Sequence, residues 1–254
     1  MTKHLILSTA LLLASLCALA QPKVIAHRGH WDTEGSAQNS LAAYEKAAEI
    51  GCFASEFDVW LTADNKLIVN HDKVFKGTNI DMERATQREI CNIVLSNGEN
   101  IPTLDEYLKL AARTPKMRLV LELKSLSDLS REDLAAEKVV KALKKYDLLD
   151  RTDIIAFSIN ACMAFRKLLP EARIFYLNGC ITPWGIKTMN LTGIDYSIGV
   201  IRAHPEWVKH AHGHGLEVNV WTVNSEEDMK YCIDLGVDYI TTNAPEKLQA
   251  LLKK

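Results

Sequence analysis

The chain has 254 residues, 48% hydrophobic and 24% charged, an ordinary globular composition with length for one large core or two smaller ones. A formal charge of −2 provides no basic footprint for a nucleic-acid backbone and no acidic tail, which excludes polyanion binding and points to a small-molecule partner.

The first twenty residues read differently from the rest. Lys3 and His4 precede the apolar run LILSTALLLASLCALA, which ends in Ala18-Leu19-Ala20 before Gln21-Pro22. That order predicts a cleaved secretory signal over residues 1–20 and a mature protein, secreted or periplasmic, beginning near Gln21. The run is shorter than the ~20 apolar residues of a spanning helix, so stable membrane insertion is not expected. Bulky Leu16 before Cys17 disfavours a lipid anchor there. Five cysteines remain, Cys52, Cys91, Cys162, Cys180 and Cys232, widely spaced and odd in number, which favours buried apolar residues over a disulfide framework.

From residue 21 onward, short apolar runs alternate with amphipathic segments. The strand candidates are KVIAHRG, FASEFDVWLT, KLIVNHD, MRLVLELK, DIIAFS, ARIFYLN, GIDYSIG, LEVNVWTVN and DYITTN. SLAAYEKAAEIG reads as a helix stopped at Gly51, and REDLAAEKVVKALKKYD carries apolar residues at helical spacing. Alternation of this kind predicts βαβ units and a parallel barrel. Nine strands are one too many for a (β/α)8 barrel. FDVWLT and KLIVNHD are joined only by Ala63-Asp64-Asn65, too short for a parallel crossover, so they predict a hairpin that projects from the ring. The expected fold is a single TIM barrel over residues 21–254, with the hairpin and a small insertion, about 73–101, over its C-terminal mouth.

Catalytic groups of such barrels sit at the C-terminal strand ends. Here those ends carry His27 and Arg28 (AHRG), Glu56 and Asp58 (EFD), His71 on the hairpin arm (NHD), and Glu122 and Lys124 (LELK). Alternation along a strand places Glu56 with Asp58, and Glu122 with Lys124, on one face, opposite Phe57, Val59, Leu121 and Leu123. Three acids converging in the mouth repel one another unless a cation joins them, and an all-carboxylate set suits a hard divalent ion, Ca²⁺ or Mg²⁺. With that ion the three carboxylates leave one net negative charge; Arg28 and Lys124 turn it to one net positive, suited to a singly charged phosphodiester. Two histidines supply the proton transfers that ester cleavage needs. Singly, each of these residues is more often structural; together they occupy matching positions at successive strand ends.

At these residues the sequence resembles the glycerophosphodiester phosphodiesterase family. The motifs are HRG (27–29), SEFDVWLTADNKLIVNHD (55–72), IPTLDEYL (101–108), LELK (121–124), VWTVN (220–224) and TTNAP (241–245), spread across nearly all of the chain beyond the signal. The resemblance implies a TIM barrel with an insertion after the HD motif. It implies His27 and His71 as the acid/base pair, Glu56, Asp58 and Glu122 as metal ligands, Arg28 and Lys124 on the phosphate, and Trp221 beside the glycerol moiety. The implied reaction yields an alcohol and glycerol phosphate, directly or through a cyclic phosphate. Two positions depart from the family pattern: Gln38 stands where a Glu is usual, and Asn243 where many members carry Asp.

Three further motifs carry weaker chemical signals. His210, His212 and His214 in HAHGHG fall at a helix end, where side chains two residues apart do not converge on a metal. Asn190-Leu191-Thr192 is a glycosylation sequon, meaningful only in a eukaryotic secretory pathway. Trp31, Trp60 and Trp184 suggest an aromatic rim, though such residues are more often packing. Two alternative functions remain: a phosphodiesterase acting on lysophospholipids or phosphoinositides, which needs an exposed apolar rim, and a phosphoester-binding protein without activity, suggested by Gln38 and opposed by the retention of both histidines.

Overall fold

The computed structural model describes residues 21–253; the predicted signal lies outside them. Eight parallel strands close into a ring: β1 (Lys23–Ala26), β2 (Ala54–Leu61), β4 (Arg118–Leu123), β5 (Thr152–Ala156), β6 (Arg173–Tyr176), β7 (Gly193–Ser197), β8 (Glu217–Trp221) and β9 (Tyr239–Thr242). The ninth, β3 (Leu67–Val69), pairs antiparallel with the upper part of β2 (Val59↔Val69, Leu61↔Leu67) and stands outside the ring. β1 covers the edge of β2 only at Ala54 and Ser55 before it turns away, and β3 takes the same edge higher up. β2 is thus paired on both sides although it overshoots the barrel rim.

Helices α1 (Leu41–Glu49), α3 (Leu104–Ala111), α4 (Leu129–Lys145), α5 (Ile159–Leu168), α6 (Pro183–Thr188), α7 (Ile198–Ala203), α8 (Glu206–Gly213), α9 (Glu226–Leu235) and α10 (Pro245–Leu252) pack outside the ring, and the four-residue α2 (Gln87–Ile90) belongs to the insertion. Their starts follow from local chemistry. Ser40 caps α1 by accepting from Ala43 N, and the T-x-x-E of IPTLDEYL is a capping box in which Thr103 and Glu106 satisfy each other's backbone. Gly51, at φ +71°, follows α1 in a conformation that favours glycine. The chain's main core lies between sheet and helices and includes Phe57, Val59, Leu121 and Leu123, the residues opposite the acids.

The insertion has a core of its own, in which Met82, Ile90, Ile93, Leu95 and Ile101 pack on Trp60 and Ile68 of the hairpin. Buried Glu83 ties it to the β4–α4 loop by accepting from Ser127 N (3.0 Å) and Oγ (2.6 Å). At the opposite end of the barrel, Arg173 clamps Glu217 with two bonds (2.8 and 2.7 Å) and donates to Asp153 (2.9 Å), which Arg118 also holds (2.6 Å). Charge pairing closes that end and leaves the C-terminal mouth as the accessible one. Among the described residues the five cysteines are free, and no helix is long and apolar enough to cross a membrane.

Candidate active site

Glu56, Asp58 and Glu122 meet at the mouth, each able to place one carboxylate oxygen within 4.8 Å of the others. Strand register causes this: Asp58 lies directly across from Glu122 in the β2–β4 pair, and Glu56 is two residues below on the same face. All three are buried, at 2%, 1% and 7% exposure. Burial, reinforced by the neighbouring acids, holds Glu56 well above the usual carboxylate range and pushes Glu122 up to about 8. Burial acts on Asp58 in the same sense, but Lys124, His71, Arg28 and the Asn39 amide outweigh it, and its pKa falls below the ordinary value.

Each acid has a distinct support. The backbone N–H of Arg28 donates to Glu56 Oε2 (2.8 Å), an orientation reached because Arg28 adopts φ +58° as the chain leaves β1. Gly29 follows at φ +77°, with α1 so close that a Cβ there would lie 2.6 Å from the Ala43 carbonyl carbon. This is the physical need for glycine in HRG. Asn39, at φ +61°, embraces Asp58 from both sides: its Nδ2 donates to Oδ2 (2.8 Å), and its Oδ1 accepts from the Asp58 backbone N–H (3.1 Å). Lys124 Nζ bridges Asp58 Oδ1 (3.3 Å) and Glu122 Oε1 (2.7 Å). The sequence suggests a phosphate for this ammonium; its partners here are two carboxylates. Arg28 does line the pocket, with Nη1 donating to Gln38 Oε1 (2.6 Å) and Nε 3.8 Å from Asp58 Oδ2. Gln38 thus supplies an oxygen acceptor to Arg28 without a charge.

The two histidines face this cluster from different elements. His27 Nδ1 lies 2.7 Å from Asn243 Oδ1, and Nε2 is 4.0 Å from Glu56 Oε2. The same Asn243 oxygen accepts from Trp31 Nε1 (3.3 Å). An indole N–H can only donate, so the Asn243 oxygen must face it; Nδ1 of His27 then carries the proton and Nε2 presents its lone pair to the pocket. Burial and the Arg28 charge bring His27 down to about 4, which keeps the ring neutral near pH 7. Asn243 is in turn placed by Asn224 of VWTVN, whose Oδ1 accepts from Asn243 N (2.9 Å). His71 is fixed from the hairpin side: Trp60 Nε1 donates to its carbonyl (3.3 Å) and its Nδ1 meets Asp72 Oδ1 at 2.7 Å. Its pKa is lowered, chiefly by burial.

A cavity of about 160 Å³ joins these groups, with His27, Arg28, Glu56, His71 and Glu122 on one wall and Ile155, Phe157, Leu177 and Trp221 on the other. Trp221 is held by its Nε1, which donates to Asp195 O (2.9 Å), and by an edge contact with Phe157. Past His71 the site opens into a wider groove of about 670 Å³ between the 31–39 loop and the insertion. All eight residues singled out in the sequence therefore gather at the mouth: seven line the pocket or supply the acid trio, and Lys124 stands behind two of the acids. Sequence reasoning assigned no role to Asn39, Asp72 and Asp195 and read Trp31 only as part of an aromatic rim; an Asn just before a helix cap, able to take positive φ, was the one local cue.

The features set aside earlier separate in space. His212 pairs with Asp238 (2.9 Å) and His214 packs on Trp184, while the acid trio is the single metal-type cluster among the described residues. Trp60 is buried in the insertion core, Trp184 is 61% exposed, and Trp31 supports Asn243, so the three form no common rim.

The sequence profile of the glycerophosphoryl diester phosphodiesterase family matches residues 27–247. The chain belongs to this family. Within the glycerophosphoryl diester phosphodiesterases, a glycerophosphodiester phosphodiesterase of Caldanaerobacter subterraneus subsp. tengcongensis is 31% identical over 243 residues, 91% of this chain and 98% of the relative. A crystal structure of a glycerophosphodiester phosphodiesterase from Parabacteroides distasonis is similar at a TM-score of 0.89 and 46% identity, covering 92% and 97% of the two chains. An Oleispira antarctica phosphodiesterase, solved in complex with the product sn-glycerol-3-phosphate, shares the fold at a TM-score of 0.80 and 23% identity over 92% and 98%. As a member of this phosphodiesterase family the protein is a phosphoric diester hydrolase, and the acid trio at its mouth can hold a metal ion.

Proposed function

We propose that the protein hydrolyses glycerophosphodiesters to an alcohol and glycerol phosphate, with Glu56, Asp58 and Glu122 holding one divalent cation, Ca²⁺ or Mg²⁺, and His27 and His71 moving the protons. The observation that carries this is the convergence of three buried carboxylates at a small pocket that two histidines also line. The donor set fits a hard cation: it is all oxygen, and the three carboxylates can each place an oxygen within 4.8 Å of the others. Such a cation, when bound, polarises a phosphoryl oxygen and takes up the charge that develops there.

The chain's own groups do the rest. Arg28 faces the pocket with its Nε free of hydrogen bonds, ready to orient an anionic phosphodiester. His27, with Nδ1 tied to Asn243, offers Nε2 as a proton acceptor on one side. His71, with Nδ1 on Asp72, stands on the other side toward the open groove, placed to protonate a departing alkoxide. Phe157, Leu177 and Trp221 keep water from the inner wall. The insertion turns Met82, Ile90, Ile93 and Leu95 into its own core, which supports a water-soluble substrate over a lipid.

The test is to incubate the chain from Gln21 onward with glycerophosphocholine and measure glycerol 3-phosphate. Release that stops with a chelator and returns with Ca²⁺ or Mg²⁺ is expected, together with a cation-dependent rise in melting temperature. No release under any divalent ion overturns the proposal.

A further inference from the structure

The small pocket ends on a carboxylate with no role in the chemistry above. Asp195, in the middle of β7, points into the barrel, is 1% exposed, and lines the pocket floor one layer below Trp221. No hydrogen-bond partner reaches its Oδ1. Its register neighbour Asn219 bonds Thr241 twice (2.8 and 3.2 Å) and also eases the Asp195 charge, yet Oδ1 stays unmet. Removing an acceptor from water without a partner is destabilising, the more so for a charged group. A folding core of apolar residues gains nothing from it.

The two cavities divide a phosphodiester between them. The inner pocket, about 160 Å³, is well below the ~300 Å³ at which sites for drug-sized ligands begin, so it takes a short fragment. The groove beyond His71, about 670 Å³, has room for an alcohol of variable size. With phosphorus held between the acid trio and Arg28, the constant glyceryl end goes inward, and its distal hydroxyl is the group that reaches the floor. Apolar Ile155, Phe157 and Leu177 offer that hydroxyl no partner, and the hydroxyl of Thr241, which also lines the pocket, is engaged with Asn219.

We propose that Asp195 selects the glyceryl group, its carboxylate accepting a hydrogen bond from the distal hydroxyl of the bound substrate. The assignment rests on the activity proposed above and extends it to a specificity residue. Asp195 touches the non-reacting end, so it contributes uniform binding: losing it raises KM more than it lowers kcat.

The experiment compares glyceryl p-nitrophenyl phosphate with its 1,2-propanediol counterpart, which lacks only the distal hydroxyl, in the cation-loaded parent enzyme and in the Asp195→Asn and Asp195→Leu variants. The parent is expected to favour the glyceryl ester about 10- to 100-fold in kcat/KM, the range of one hydrogen bond to a charged acceptor. Asp195→Leu should bring that ratio near one, mainly through KM, and Asp195→Asn, which keeps an acceptor oxygen, should retain part of it. A folded Asp195→Leu enzyme with the parent's ratio overturns the assignment. So does a parent that hydrolyses both esters equally, a result that needs no variant to fold. A parent that hydrolyses neither ester overturns the proposed activity, and this assignment with it.

Discussion

Replacing Asp195 by Asn should stabilise the protein, and by an amount that grows with pH. Burial, with Asp153 adding to it and Asn219 opposing it, raises Asp195 from 3.8 to about 7. Below about pH 4 the folded and unfolded chains both hold the proton and the residue costs nothing. Between about 4 and 7 the unfolded chain ionises while the folded one keeps its proton, and native stability falls by about 1.4 kcal/mol per pH unit. Above about 7 both are ionised and the loss is complete, about 4 kcal/mol for this fully buried group. Asn carries no such proton, and its different packing adds only an offset independent of pH. The difference in stability should therefore widen from about 1.5 kcal/mol at pH 5 to about 4 kcal/mol at pH 8. For a chain of this length that is a widening of roughly 5–10 °C in the melting-temperature difference. Paired thermal melts of parent and variant across this range, all with excess chelator so that the acid trio is in one state, measure it. A gap that stays constant with pH refutes the reasoning, because it means the carboxylate is already satisfied in the folded chain.

The remaining expectations concern the catalytic supports and the far end of the barrel. His27→Ala should lower kcat by about 10²- to 10⁴-fold with an unchanged melting temperature, and substantial residual turnover would remove His27 from proton transfer. Trp31→Phe keeps the ring but removes the N–H that fixes the Asn243 oxygen; a drop in kcat of several-fold with KM unmoved is expected, and no change would mean the His27 tautomer is set elsewhere. Arg173→Ala leaves Glu217 with only the Tyr239 hydroxyl and Asp153 with Arg118 alone. Because Arg173 is about a third exposed, denaturant titration should show a loss of roughly 2–3 kcal/mol, less than for a fully buried pair. Its kcat should match the parent's, since the clamp lies at the opposite end from the chemistry.

Much of the architecture was legible from local pattern. The three-residue link after FDVWLT admits only a hairpin, and β3 is indeed antiparallel to β2 and outside the ring. The period of two along EFD and LEL fixes which face the acids occupy, and with both strands parallel the faces coincide inside the barrel. Capping residues such as Thr103 and Ser40 announce their helices because their partners lie three residues away.

The partners of the site residues were not legible, because they come from distant parts of the chain. Asn243 reaches His27 across 216 positions, Lys124 reaches Asp58 across 66, and Trp31 reaches Asn243 across 212. No local propensity encodes such a pairing; it exists only once the sheet has closed and carried both ends of the chain to one rim. Local pattern is enough to dictate a parallel barrel with three acids and two histidines at its mouth, since strand periodicity and connection length are properties of neighbouring residues. Closure of the ring sets which nitrogen of His27 faces the pocket, that Lys124 neutralises two of the acids, and that one Asp195 oxygen is left unmet on the floor, since each depends on what the far strands bring within hydrogen-bonding distance.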